Sequence, residues 1–175
     1  PIKTKWIKDE AERQKMYNFI AKKIKEGRQV YVVSPLIEES ETLNVKSAQE
    51  TFEEYSGIFP DRRIGLIHGK QNYKEKQEVM SKFKKHELDI LVSTTVIEVG
   101  VNVPNASIMV IRDAQRFGLS SLHQLRGRVG RGQYQSYCFL ESETDNELSA
   151  RRLEVMEKTT DGFKIAEEDL KLRNS

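Results

Sequence analysis

A single cysteine, Cys138, occurs in this chain of 175 residues, so no internal disulfide can form and no cysteine cluster can hold a metal. That scarcity fits a reducing, cytoplasmic setting. No apolar run approaches the roughly 20 residues needed to cross a bilayer, which excludes a membrane-spanning helix and leaves no role for a membrane partner. Pro1-Ile2-Lys3-Thr4 lacks both the apolar stretch of a secretion signal and an initiating Met, and the expectation is a piece cut from a longer polypeptide. A dominant charge is missing too. Lysine and arginine number 29 against 27 acidic residues, a net +2, so overall charge does not announce a nucleic-acid binder. Lysine itself is absent between His86 and Lys158, yet that span carries Arg112, Arg116, Arg126, Arg128, Arg131, Arg151 and Arg152. A generic solvated surface would mix the two. Finally, no Gly-x-x-x-x-Gly-Lys-Ser/Thr loop is present to cradle phosphates, and no metal site is expected.

What is present describes one globular domain with a real core, at 37% hydrophobic and 32% charged residues. The lysines at 22, 23 and 25 and at 82, 84 and 85 read as solvated helix faces, set against acidic stretches at Glu38 to Glu41 and Glu141 to Asp145. Five short runs rich in branched or aromatic residues predict strands: Gln29 to Val33, Arg63 to Ile67, Asp89 to Ser93, Ser107 to Arg112 and Ser136 to Leu140. Several are apolar nearly throughout, as strands covered on both faces must be. Helical patterns separate them. Asp9 with Glu12 makes a capping start, followed by Tyr17, Ile20 and Ile24 at helical spacing until Gly27; Asn72 with Glu75 repeats the scheme, and a further helix is predicted over Val45 to Tyr55. Such alternation implies an α/β fold, a parallel sheet flanked by helices, and beyond Leu140 the polar, helix-prone composition implies a C-terminal helical extension. Ligands in these sheets sit at the carboxyl ends of the strands. That edge is where Ser34, His68 and Thr94-Thr95 fall.

The stretch with the most chemistry is Gln124-Leu125-Arg126-Gly127-Arg128-Val129-Gly130-Arg131-Gly132. Planar guanidinium groups can grip phosphate oxygens in pairs, and glycines let the backbone come close to a polyphosphate. Arg128 and Arg131 are three apart, so on one helical turn they face the same way. Thr94-Thr95-Val96-Ile97-Glu98-Val99-Gly100-Val101-Asn102-Val103-Pro104 places two hydroxyls at a strand end, able to hold a phosphate, with Gly100 permitting a sharp backbone change.

Together these two segments resemble motifs V and VI of the superfamily 2 helicases, whose motif VI reads Gln-x-x-Gly-Arg-x-x-Arg. Gln29 to Leu36 resembles motif IV, and His68-Gly69-Lys70 the short element after the next strand. Arg116-Phe117-Gly118-Leu119-Ser120-Ser121-Leu122-His123, leading into motif VI, is similar to the RecG family of branched-DNA translocases. Thr160 to Arg173 resembles the opening of a helical hairpin that this family shares with the transcription-repair coupling translocases. The resemblance covers nearly the whole chain. It implies a second RecA-like motor domain over residues 1–142 and the start of the hairpin over 143–175, cut short at Asn174-Ser175. It assigns Arg128 and Arg131 to the ATP phosphates, Arg131 as the arginine finger, with Gln124 and Gly127 supporting that site. It gives Glu98, Gly100 and Asn102 to the link between nucleotide and DNA, and Ser34, Thr94, Thr95 and His68 to the DNA strand. ATP and Mg²⁺ would be held mainly by a first motor domain, and branched DNA and the N-terminal motor and wedge domains would be the partners of a monomer. Asn102 stands where many relatives have an acidic residue for ribose hydroxyls, and its amide keeps the hydrogen bond without the charge. The alternatives are the matching domain of a coupling translocase, or a non-catalytic nucleic-acid module using the same arginines.

Other residues invite chemistry and read better as structure. His68, His86 and His123 lie far apart without carboxylates at ligand spacing. Trp6 and Tyr17 fit the first helix and its lead-in as core residues, and Glu167, Glu168 and Asp169 would complement the dipole at the head of a helix.

Overall fold

A computed structural model describes residues 1–37, 39–94 and 102–173. Its centre is a sheet of six parallel strands in the order β1-β6-β5-β2-β4-β3, with β1 Lys3–Ile7, β2 Gln29–Val33, β3 Ile64–Ile67, β4 Ile90–Ser93, β5 Ala106–Ile111 and β6 Tyr137–Glu141. Five match the sequence reading within a residue at their ends. The strand it missed is β1, whose Lys3-Thr4-Lys5 alternation looks like polar lead-in. β1 lies at the sheet edge, so only its end is covered: Trp6 is buried, donates its backbone N–H to Glu157 and donates its indole N–H to the Ser142 carbonyl at 2.8 Å. Trp6 therefore does core work, as expected, but from a strand.

Two layers of helices cover the sheet. α1 Glu10–Lys25 and α2 Glu41–Ile58 pack on one face, where Ile20, Ile24 and Tyr55 meet Val30, Val32, Ile108 and Val110. On the other face α3 Tyr73–Lys84, α4 Leu119–Arg126, α5 Glu147–Lys158 and α6 Gly162–Arg173 bring Met80, Phe83, Leu122, Leu153 and Ile165 onto Tyr31, Leu91, Met109 and Leu140. Odd and even residues of each central strand thus feed different cores, and each large apolar side chain contributes on the order of 1.5–3 kcal/mol on burial. Cys138 is fully enclosed in β6, and burial pushes its thiol up to about 12.

The predicted caps are real. Asp9 accepts from the Glu12 N–H, and Asn72 with Glu75 closes a reciprocal capping box. Gly27 follows α1 at φ +96°, a conformation that stops the helix cheaply only for glycine. α2 is longer than Val45 to Tyr55 because Ser40 caps it by accepting from Leu43. Glu167, Glu168 and Asp169 are not at a helix head. They sit in the middle of α6, where Glu168 pairs with Lys164 and Lys171, and Asp169 with Arg173.

Candidate nucleotide and nucleic-acid site

Strands β2 and β5 are neighbours, but the chain leaves β2 toward α2 and β3 on one side and leaves β5 toward α4 and β6 on the other. Divergence of this kind opens a crevice at the carboxyl edge. Leu36 from the first exit and Phe117 from the second form its end. α4 then carries the chain away from that edge, and Gln124, Arg128 and Arg131 complete a groove of about 420 Å³ with Ser121 and Leu125.

The two arginines do not share a helical turn. α4 ends at Arg126 with Gly127 as its cap, and Gly130 at φ +87° bends the following loop. They share the groove because the loop folds back: Arg131 donates through Nε to the Gly127 carbonyl at 3.2 Å. Arg128 is half-buried and Arg131 exposed. Tyr31, buried beneath on β2, feels both charges: burial pushes its phenol up to about 12 while Arg128 and Arg131 pull it down. Gly127 and Gly132 serve the loop differently. Gly127 receives the Arg131 hydrogen bond, whereas a Cβ at Gly132 would stand 2.5 Å from the Pro104 carbonyl oxygen. Only glycine lets the two motif segments touch there.

Arg126 is not part of the groove. It is 1% exposed, and its guanidinium donates to the Met156 carbonyl at 2.6 Å and to Thr4 Oγ1, while Nη2 meets His123 Nδ1 at 3.2 Å. One arginine of the motif thus fastens α4 to α5 and β1. Burial and the Arg126 charge both hold the His123 imidazole below its usual range.

At the carboxyl edge Ser34, Thr94 and His68 follow the three adjacent strands β2, β4 and β3. Ser34 donates its hydroxyl to the Ser93 carbonyl at 3.2 Å, and Thr94 donates its backbone N–H to the Ile67 carbonyl. Both side chains are buried, and among the described residues Thr94 Oγ1 has no hydrogen-bond partner. His68 is fixed in a turn, its Nδ1 accepting from the Lys70 N–H, and burial holds it below its ordinary value. Asn102 is exposed and lies in a different concavity from the arginines. Thr95, Glu98 and Gly100 lie outside the described residues. Among the described residues no group of His, Cys, Asp or Glu could hold a metal, and no helix is long and apolar enough to cross a membrane.

One cluster the sequence did not signal supports this edge. Glu141, from the acidic stretch, is 3% exposed and accepts from Arg13 Nε at 2.7 Å, with Arg112 Nε 3.6 Å away and Glu54 bonded to Arg112 beyond it. It ties α1 and α2 to the ends of β5 and β6.

A RecA-like sheet with an arginine loop along one helix is the arrangement of a helicase motor lobe, and residues 11–133 match the helicase conserved C-terminal domain; the chain belongs to that family. Within it the sequence is RecG-like over nearly its whole length. It is 56% identical over 168 residues to the ATP-dependent DNA helicase RecG of Aquifex aeolicus (strain VF5), covering 94% of this chain and 21% of that protein. A solved structure of RecG bound to a three-way DNA junction matches with a TM-score of 0.81 and 44% identity, over 97% of this chain and 22% of that one. Domain 2 of the DEAD-box helicase Mss116p, bound to an RNA duplex, matches at a TM-score of 0.69 over 100% of this chain and 70% of that one, and its 20% identity carries the fold alone. The chain spans about a fifth to a quarter of the length of the RecG relatives it matches.

Proposed function

We propose that this chain is the second motor lobe of an ATP-dependent, RecG-like DNA translocase that remodels branched DNA. The observation that carries the reading is the single groove holding Gln124, Arg128 and Arg131 at the divergence of β2 and β5. Residues 1–142 form the motor lobe and 143–175 the extension that begins the hairpin. A first motor domain elsewhere in the polypeptide supplies the acidic groups for Mg²⁺ and the phosphate loop, a motif this sequence lacks.

In the closed state the groove faces the nucleotide, and Arg128 and Arg131 meet the charge that spreads over the transferred phosphoryl oxygens. A guanidinium supplied there accelerates transfer by about a thousandfold or more. Arg131, exposed and hydrogen-bonded to the Gly127 carbonyl, can swing toward the phosphate; Arg128 sits deeper, near Tyr31. Gln124 supports the pair from α4. Asn102 offers an amide to the ribose hydroxyls. On the carboxyl edge Thr94, Ser34 and His68, with Thr95, track the DNA phosphates, contacts that read no sequence. Glu98 and Gly100 belong to the segment between the two ligands, so ATP-driven closure alters the grip on DNA.

The test is Arg131→Lys in the complete polypeptide. Lysine keeps the charge but loses the planar two-pronged contact, so ATP turnover should fall by about a thousandfold while DNA affinity stays within a few-fold. Wild-type turnover in that variant removes Arg131 from the mechanism. An equal collapse of DNA binding instead favours a module whose arginines hold the DNA backbone.

A further inference from the structure

The arginine loop has a second side. At the amino edge of the sheet lies a concavity of about 620 Å³, lined by Arg28, Lys84, His86, Asn102 and Pro104 among others. Gly132, which directly follows Arg131, lies against the Pro104 carbonyl, so the loop borders both hollows. Next to the second stands Tyr134. The Arg28 guanidinium carbon sits 3.3 Å from the centroid of its ring, and the residue remains 44% exposed. Arg28 Nη1 is buried and has no hydrogen-bond partner among the described residues, and the guanidinium is held against the face of the ring.

We propose that Tyr134 and Arg28 form a stacking platform for the base of the bound nucleotide. The inference rests on the nucleotide reading above. With phosphates at Arg128 and Arg131 and the ribose at Asn102, a nucleotide running on in the same direction delivers its base to this hollow. The proposed DNA contacts lie at the opposite, carboxyl edge, which leaves the amino-edge hollow to the nucleotide. Arg28 covers part of one face of the tyrosine and orders it in advance, and the exposed part of the ring is available to a flat heteroaromatic partner. Stacking of this type tolerates either purine, so the platform contributes affinity more than choice of base.

The experiment measures inhibition of ATP hydrolysis by ADP and by inorganic pyrophosphate in the complete polypeptide. Tyr134→Ala should raise the ADP inhibition constant about tenfold and move that of pyrophosphate by less than about twofold, because only ADP carries a base. Tyr134→Phe, which keeps the ring, should hold the ADP constant within about threefold of wild type. ADP inhibition unaltered in Tyr134→Ala overturns the platform. So does an equal rise for ADP and pyrophosphate, which marks a disturbed phosphate loop. Full turnover in Arg131→Lys would instead remove the nucleotide reading itself, whereas loss of turnover there beside unaltered ADP inhibition in Tyr134→Ala removes the platform alone.

Discussion

At the scale of single residues, chemically identical side chains do unlike work a few positions apart. Arg126, Arg128 and Arg131 look equivalent in the sequence, yet one is a buried tie and two line a groove. Removing Arg126 strips the Met156 carbonyl of its donor and leaves a void. Arg126→Ala should therefore lower unfolding free energy by about 3 kcal/mol in urea denaturation. Arg126→Met refills most of the volume and should recover part of the loss. Equal stability of Arg126→Ala and the unmodified chain would contradict the tie. Gln124, Arg128 and Arg131 stood out in the sequence, and the structure brings them to one groove. Their shared orientation was not legible there, because it comes from a loop that folds back on the Gly127 carbonyl instead of from a helical turn.

At the scale of elements, the capping residues and the apolar strands announced themselves, since Asp9, Asn72 and Gly27 act within a few residues of where they stand. β1 did not, because an edge strand with alternating lysines has few apolar residues to reveal it, and its partner β6 is more than a hundred residues away. Long-range pins of this kind also fix β3 against β4. Asp89, just before β4, accepts from the Arg63 backbone N–H at 3.0 Å and from Arg63 Nη2 at 3.1 Å. Burial pushes the Asp89 carboxyl up, but the Arg63 hydrogen bonds and charge outweigh it and hold it below the ordinary carboxylate range. A carboxyl that titrates lower when folded stabilises fully above the unfolded value of about pH 4 and loses that stabilisation as pH falls through the folded one. Asp89→Asn should thus melt below wild type near pH 7, by an amount reflecting about 1–2 kcal/mol, with the gap shrinking toward pH 3. A gap independent of pH would assign the effect to packing.

At the scale of the whole molecule, the proposed function gives the chain one wall of a nucleotide site and no floor. The isolated chain of 175 residues should show no ATP hydrolysis above background in a phosphate-release assay, and adding nucleic acid should not change that. Robust turnover by the chain alone would mean that the reading of an interdomain site is mistaken. What the sequence determined by itself is local or compositional: the caps, the doubly covered strands, the arginine and glycine chemistry of the loop, and the lack of a phosphate loop, each of which follows from residues close together or from simple presence. The order of the strands, the edge position of β1, the withdrawal of Arg126 into the core, and the meeting of Gly132 with Pro104 and of Tyr134 with Arg28 were decided only by tertiary structure. The physical reason is that burial and contact between distant segments depend on how two helical layers close over one sheet, and no short window of sequence carries that.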